Sequence, residues 1–241
     1  MRYLIELSYK GTAYHGWQKQ VGVVTVQSVL ENCLSMLLNE SISVIGSSRT
    51  DAGVHAKQQF AHFDCKRTIW CDELLNKLNM VLPYDIAVLH VNRVDDKFHA
   101  RFSATCREYQ YKIVSYKDVF ASDLSYYYKK PLNLELMNQI SLELLAVSNF
   151  KAFSKVKTNV QNYTCHINYA KWIHTDSSYV FYISANRFLR GMVRAIAGCL
   201  FNIGQGKLLR EDFWAIVKSE DRRKVKFSLP SHGLFLSKVN Y

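Results

Sequence analysis

Long apolar runs are missing from this chain of 241 residues. None approaches the roughly 20 residues that a bilayer-spanning helix needs, which excludes a helical anchor. The opening "MRYLIELSYKG" alternates like a strand and lacks a signal-peptide cleavage region, so a soluble, cytoplasmic protein is expected. With 3 prolines and 10 glycines, no Pro/Gly/Ser-rich linker or low-complexity stretch divides the chain. The cysteines (Cys33, Cys65, Cys71, Cys106, Cys165, Cys199) stand singly, with no C-x-x-C pair. That spacing offers neither a metal knuckle nor a redox motif and suits idle thiols in a reducing compartment. A P-loop, G-x-G-x-x-G and H-E-x-x-H are absent too, so neither a nucleotide cofactor nor a zincin site is suggested. Acidic residues are scarce: 20 against 31 basic ones leave a net charge of +11. Such a field attracts polyanions, nucleic acid first among them, and no basic amphipathic anchor favours a membrane surface.

What is present reads as an α+β chain. Tyr3, Ile5, Leu7 and Tyr9 alternate over residues 2–9 as a strand. Thr25 caps a helix whose apolar positions Val26, Val29, Leu30, Cys33, Leu34 and Leu37 keep helical spacing. Strands follow near 42–47 and 57–64. Asp72 then opens a helix closed by Pro83, and 86–94 is another strand. The second part repeats this order: a strand at 107–114, a helix at 133–146, strands near 164–174 and 179–186, and a long helix from about 188 to 203. A short extra helix near 211–218 and a closing strand in "HGLFLSKVNY" complete it. Two tandem ferredoxin-like β-α-β-β-α-β halves are therefore expected, 1–100 and 101–241, each an antiparallel sheet with helices on one face.

Three places carry candidate chemistry. In "SSRTDAGVHAKQQFAHF" (47–63), Asp51 has two readings. Aspartate is a common turn residue, yet Arg49 two positions earlier can orient and ionise a carboxylate, which then serves as nucleophile or base. In "NRFLRGMVRAIAGCLFNIG", Arg187, Arg190 and Arg194 fall at i, i+3 and i+7, on one face of the expected helix. They form either a solvated stripe or a phosphate-contacting one. Arg194 turned inward would need a buried acidic partner. Tyr109 and Tyr111 share a face of their strand, as core or as platforms for unpaired bases. The loop "SYKGTAYHGWQKQ" (8–20) is a further candidate RNA contact, and "VKSEDRRKVKF" is a solvated charge run.

Together these segments resemble the tRNA pseudouridine synthase A family over essentially the whole chain. Its signature loop, roughly G-R-T-D-A-G-V-H-A, appears as Ser48 to Ala56. "YKGTAYHGWQKQ", "FHARFSATCREYQYKI", "FLRGMVRAIAG" and "HGLFLSKVNY" are similar to four further family segments in the same order. The resemblance implies the pseudouridine synthase fold, with its sheets forming a central RNA-binding cleft. It implies Asp51 as catalytic aspartate, in the first half. Arg49 would position the extruded nucleotide or its phosphate, Tyr109 would stack on the target uracil, and Arg194 would pair with Asp51. The closing strand around Gly233, Leu234 and Leu236 would offer backbone groups to the uracil edge. A cofactor-free homodimer isomerising uridines around positions 38 to 40 of the tRNA anticodon stem-loop is implied, with no metal and no membrane partner. A tRNA-binding chaperone without chemistry is the alternative: it accounts for charge and aromatics but not for the Arg49–Asp51 loop. An enzyme of free uridine or UMP fits the positive charge poorly. Ser48 and Ala195 stand where the family carries glycine and asparagine, and Ser48 therefore requires a backbone that avoids positive φ.

Overall fold

The computed structural model describes residues 1–156, 160–175 and 177–241. It is a mixed α+β chain whose sheets are mostly antiparallel, in two compact units. The first unit holds Met1–Thr105 and Leu236–Tyr241, and the second holds Cys106–Phe235.

The first unit begins with β1 (Arg2–Tyr9), whose buried face carries Tyr3, Ile5, Leu7 and Tyr9, as its alternation predicts. Thr25 begins α1 (Val26–Leu38) through a capping box: its side chain accepts from the Ser28 N–H, and Ser28 Oγ accepts in return from the Thr25 N–H. Leu30 and Leu34 are fully buried, about 1.5–3 kcal/mol of stabilisation each. β2 (Val44–Gly46) and β3 (His55–Asp64) follow, then α2 (Cys71–Val81) and β4 (Ile86–Val94). Asp72 and Glu73 lie in the first turn of α2, where the helix dipole favours negative charge. β1 pairs antiparallel with β3 and β4, and β2 pairs with β3.

In the second unit β5 (Cys106–Val114) pairs antiparallel with β8 (Ser178–Ala185), which pairs antiparallel with β7 (Ile167–Thr175). The two-residue β6 (Tyr126–Tyr127) runs parallel to β5. Three helices complete it: α3 (Leu134–Glu143), α4 (Met192–Gly204) and α5 (Arg210–Ser219). β9 (Leu234–Asn240) crosses from one unit to the other and lies beside β3. Its end is tied to the first unit: Val239 N–H donates to Gln58 Oε1 at 2.9 Å, and Tyr241 Oη to the Ala100 carbonyl at 2.9 Å. The expected division put all of 101–241 in the second half; Leu236–Tyr241 instead belong to the first unit.

The long helix starts later than its apolar spacing suggests. Gly191 adopts φ 74°, ψ 1° at the N-cap, a left-handed conformation that a helix interior does not contain. The Met192 N–H closes a turn onto the Leu189 carbonyl at 3.1 Å. Arg187 and Arg190 therefore precede α4 and do not share a helical face with Arg194, which corrects the expected stripe.

His62 on β3 is 2% exposed, and its Nδ1 accepts from the Ala100 N–H at 3.1 Å. Burial, reinforced by the nearby charges of Arg2 and His99, pulls its pKa down to about 4. Between pH 6.5 and 4 the unfolded chain takes up a proton that the folded one refuses. Stability is thus complete above 6.5 and falls as pH drops toward 4, by about 2–3 kcal/mol from this residue. His62→Asn keeps an acceptor for the Ala100 N–H and removes the titration. Its urea midpoint should fall less between pH 7 and 4.5 than that of the wild type, and equal falls would contradict this assignment. Among the described residues no helix is long and apolar enough to cross a membrane.

Candidate active site

Asp51 lies in the first unit, on the turn between β2 and β3, half-exposed beside the exposed Arg49. Thr50 between them is 7% exposed. Its hydroxyl meets the Tyr9 hydroxyl at 2.8 Å, and its carbonyl accepts from the Trp17 N–H at 3.1 Å. Thr50 is thus held inward between the exposed Arg49 and the half-buried Asp51.

The rest of the turn is closed through backbone groups. Val54 N–H donates to the Asp51 carbonyl at 3.1 Å, and Gly53 N–H to the Tyr14 carbonyl at 3.2 Å. His55, 1% exposed, accepts the Gly11 N–H on Nδ1 at 3.0 Å. Ser48 is not among the positive-φ residues, of which the non-glycine ones described are Asn39 and Glu220, so serine is tolerated there without strain.

The loop 8–20, expected as an RNA contact, is in large part a buttress for this turn. Tyr14 is 6% and Trp17 2% exposed. Tyr14 Oη donates to Asp85 Oδ1 at 2.5 Å, and burial with that bond pushes the phenol pKa well above its ordinary value. Lys19 and Gln20, farther along, are exposed. Lys19 Nζ bonds the buried Glu31 carboxylate at 3.0 Å and anchors the outer part of the loop to α1.

The second unit holds the other candidates. Tyr109 is 9% exposed, its ring meeting Phe188 edge to face at 5.2 Å and 88°. Tyr111, fully buried, donates to the Pro230 carbonyl at 2.8 Å and is the core member of the pair. Gly233 packs against the Tyr111 ring, Leu234 is 5% exposed, and Leu236, already in the first unit, is fully buried. Phe188, at the expected start of the long helix, lies outside it and is only half-buried. Nothing in the periodicity separates these two places for a phenylalanine. Arg187 and Arg190 flank it, half-buried and exposed respectively.

Arg194 sits in the first turn of α4, the end of a helix least suited to a cation. It is held there by reciprocal bonds with the segment before β9: Nε donates to the Leu229 carbonyl at 2.8 Å, and Leu229 N–H returns to the Arg194 carbonyl at 3.2 Å. A residue kept against its local preference is where a functional role is to be sought. Its charge reaches His232, whose pKa is lowered mainly by burial. Burial disfavours the thiolate at two cysteines, pushing Cys165 up to about 11 and Cys199 up to about 12.

A basic α+β protein with an arginine-flanked aspartate on a buttressed turn defines a candidate nucleic-acid-modifying enzyme, and comparison with known proteins narrows this. A family described as tRNA pseudouridine synthase matches residues 7–103 and 143–241. The chain belongs to that family, whose members are isomerases. Within it, the chain is similar to tRNA pseudouridine synthase A of Bacteroides fragilis, 44% identical over 242 residues, covering 100% of this chain and 96% of the relative. It is 43% identical over 243 residues to that of Bacteroides thetaiotaomicron, covering 100% and 90%. Against that of Thermoanaerobacter sp. strain X514 it is 38% identical over 241 residues, covering 99% and 98%.

Proposed function

We propose that this chain isomerises uridine to pseudouridine in the anticodon stem-loop of tRNA, around positions 38 to 40, with Asp51 as the catalytic group. The observation that carries the reading is the turn itself. Backbone groups close it, Thr50 is pinned inward, and the carboxylate is presented beside Arg49. The reaction breaks the N1–C1′ bond, turns the uracil and rejoins it through C5, consuming no redox equivalent. The target base leaves its stack at a cost of a few kcal/mol. Stacking on Tyr109, worth ~1–3 kcal/mol, offsets much of that. Attack at C1′, attack at C6 and removal of the 2′ proton are three routes from the same start, an ionised Asp51 in a shielded site. In this reading Arg49 holds the extruded nucleotide or its phosphate, and Arg194 is the partner of the Asp51 carboxylate. Gly233, Leu234 and Leu236 offer backbone groups to the uracil edge, while Arg187 and Arg190 contact phosphates. The protein acts as a cytoplasmic homodimer, and its two units are ferredoxin-like halves.

Tritium release from [5-³H]uridine-labelled tRNA tests the reaction, because the new C5 bond expels that hydrogen. Release with tRNA and none with free UMP is expected. tRNA binding without release would overturn the isomerase reading for this chain. For Tyr109→Phe, which keeps the ring face and the edge-to-face contact with Phe188, at most a tenfold loss of kcat is expected; a loss as deep as that of removing Asp51 would assign the work to the hydroxyl.

A further inference from the structure

We propose that Asp51 is aimed by a two-point clamp in which Thr50 and His55 are positioning residues; the inference rests on Asp51 being the catalytic group. The two anchors stand one residue before and four residues after the aspartate, and both reach the segment leaving β1. On one side the Thr50 and Tyr9 hydroxyls meet at 2.8 Å, with Tyr9 5% and Thr50 7% exposed. On the other, His55 Nδ1 accepts the Gly11 N–H at 3.0 Å. With Nδ1 accepting, the imidazole is the neutral tautomer that carries its proton on Nε2.

The clamp sits where the β1–β3 ladder ends. Tyr9, the last residue of β1, lies in register with Ala56 beside His55, and from there the two side-chain bonds tie that end of the ladder to the Asp51 turn. Backbone bonds from Trp17 to Thr50 and from Gly53 to Tyr14 set the turn's path. The side-chain pair sets its roll, because it fixes the side chain of Thr50 and the ring of His55, one on each side of Asp51, where the backbone bonds fix only the path of the main chain. Reactive groups displaced by about 1 Å lose on the order of a hundredfold in rate. A roll of the turn therefore reads out chiefly in kcat; of the residues proposed to contact RNA it moves Arg49 and leaves the others in place.

The test pairs each anchor with a conservative and a disruptive variant, alongside Asp51→Asn. Thr50→Val removes the hydroxyl at constant shape, and Thr50→Ser restores it. His55→Leu removes the acceptor, and His55→Asn places Oδ1 near the position of Nδ1. Single-turnover tritium release, KM for tRNA and thermal midpoints are measured for all five. The expected result is a fall of about 10–100-fold in the rate for Thr50→Val and His55→Leu, KM within about threefold, and recovery to within about fivefold in Thr50→Ser and His55→Asn. If His55→Leu fails to fold, the Thr50 pair carries the test alone. Full activity in Thr50→Val, or equal losses in Thr50→Val and Thr50→Ser, overturns the clamp. Activity retained in Asp51→Asn would instead overturn the assignment of Asp51, a separate outcome.

Discussion

Asp51→Asn is expected to lower tritium release from labelled tRNA by at least a thousandfold while tRNA affinity stays within a few-fold. Asparagine matches the shape of aspartate, and the backbone bonds of the Val54, Gly53 and Trp17 N–H groups remain to hold the turn. What is lost is the charge and basicity that every proposed route requires. Binding is set by a different term, the contact of Lys and Arg with phosphates, each worth about 0.7 in the slope of log affinity against log salt for single strands. Removing one negative charge from a chain of net charge +11 does not weaken that term. Filter binding at two salt concentrations beside the release assay separates the two. Activity of even one percent in the variant would count against Asp51 as the reacting group.

Gly11→Ala should be the most damaging small substitution in the first unit. A Cβ at residue 11 would stand 2.0 Å from the Val54 carbonyl oxygen and 2.6 Å from its carbon. Both are backbone atoms, so no side chain can swing aside, and the two segments must part. Parting them stretches the Gly11–His55 bond and the Gly53–Tyr14 bond together. A loss of about 2–3 kcal/mol in stability is expected from overpacking, with a fall in kcat of at least a hundredfold. Urea unfolding and the release assay read the two effects. A variant with wild-type stability and rate would mean that these segments separate freely and that the buttress described for loop 8–20 has no mechanical role.

Gly11 also marks how far the sequence could be read. The alternation of β1, the Thr25 cap and the apolar spacing of α1 are local signals, and each produced its element. The Asp51 turn was legible as a candidate site because an arginine, a threonine and an aspartate exceed what a turn needs. The clamp around it was not legible, because it joins residues more than forty positions apart through one hydroxyl pair and one imidazole. A trace existed in Tyr9, a tyrosine on the inward face of a strand, whose buried hydroxyl has to find a partner. Loop 8–20 was read by composition, and polar composition does not reveal that Tyr14 and Trp17 point inward. The start of α4 was misplaced because Phe188 and Leu189 continue the helical period across Gly191, and periodicity is blind to a single left-handed residue. β6, at two residues, is too short to carry any period.

The return of Leu236–Tyr241 to the first unit has a consequence for how the polypeptide is made. A nascent chain emerging in order can assemble β1, α1, β2, β3, α2 and β4 early, but the flank of β3 that β9 occupies stays bare throughout synthesis of residues 106–235. Domains generally fold as units while they leave the ribosome. Here the unit that carries Asp51 is left with an unsatisfied strand edge until residue 241 has cleared the exit tunnel. An exposed edge is a template for pairing with a neighbouring chain, so translation that stalls between 106 and 235 leaves this protein in a form open to aggregation.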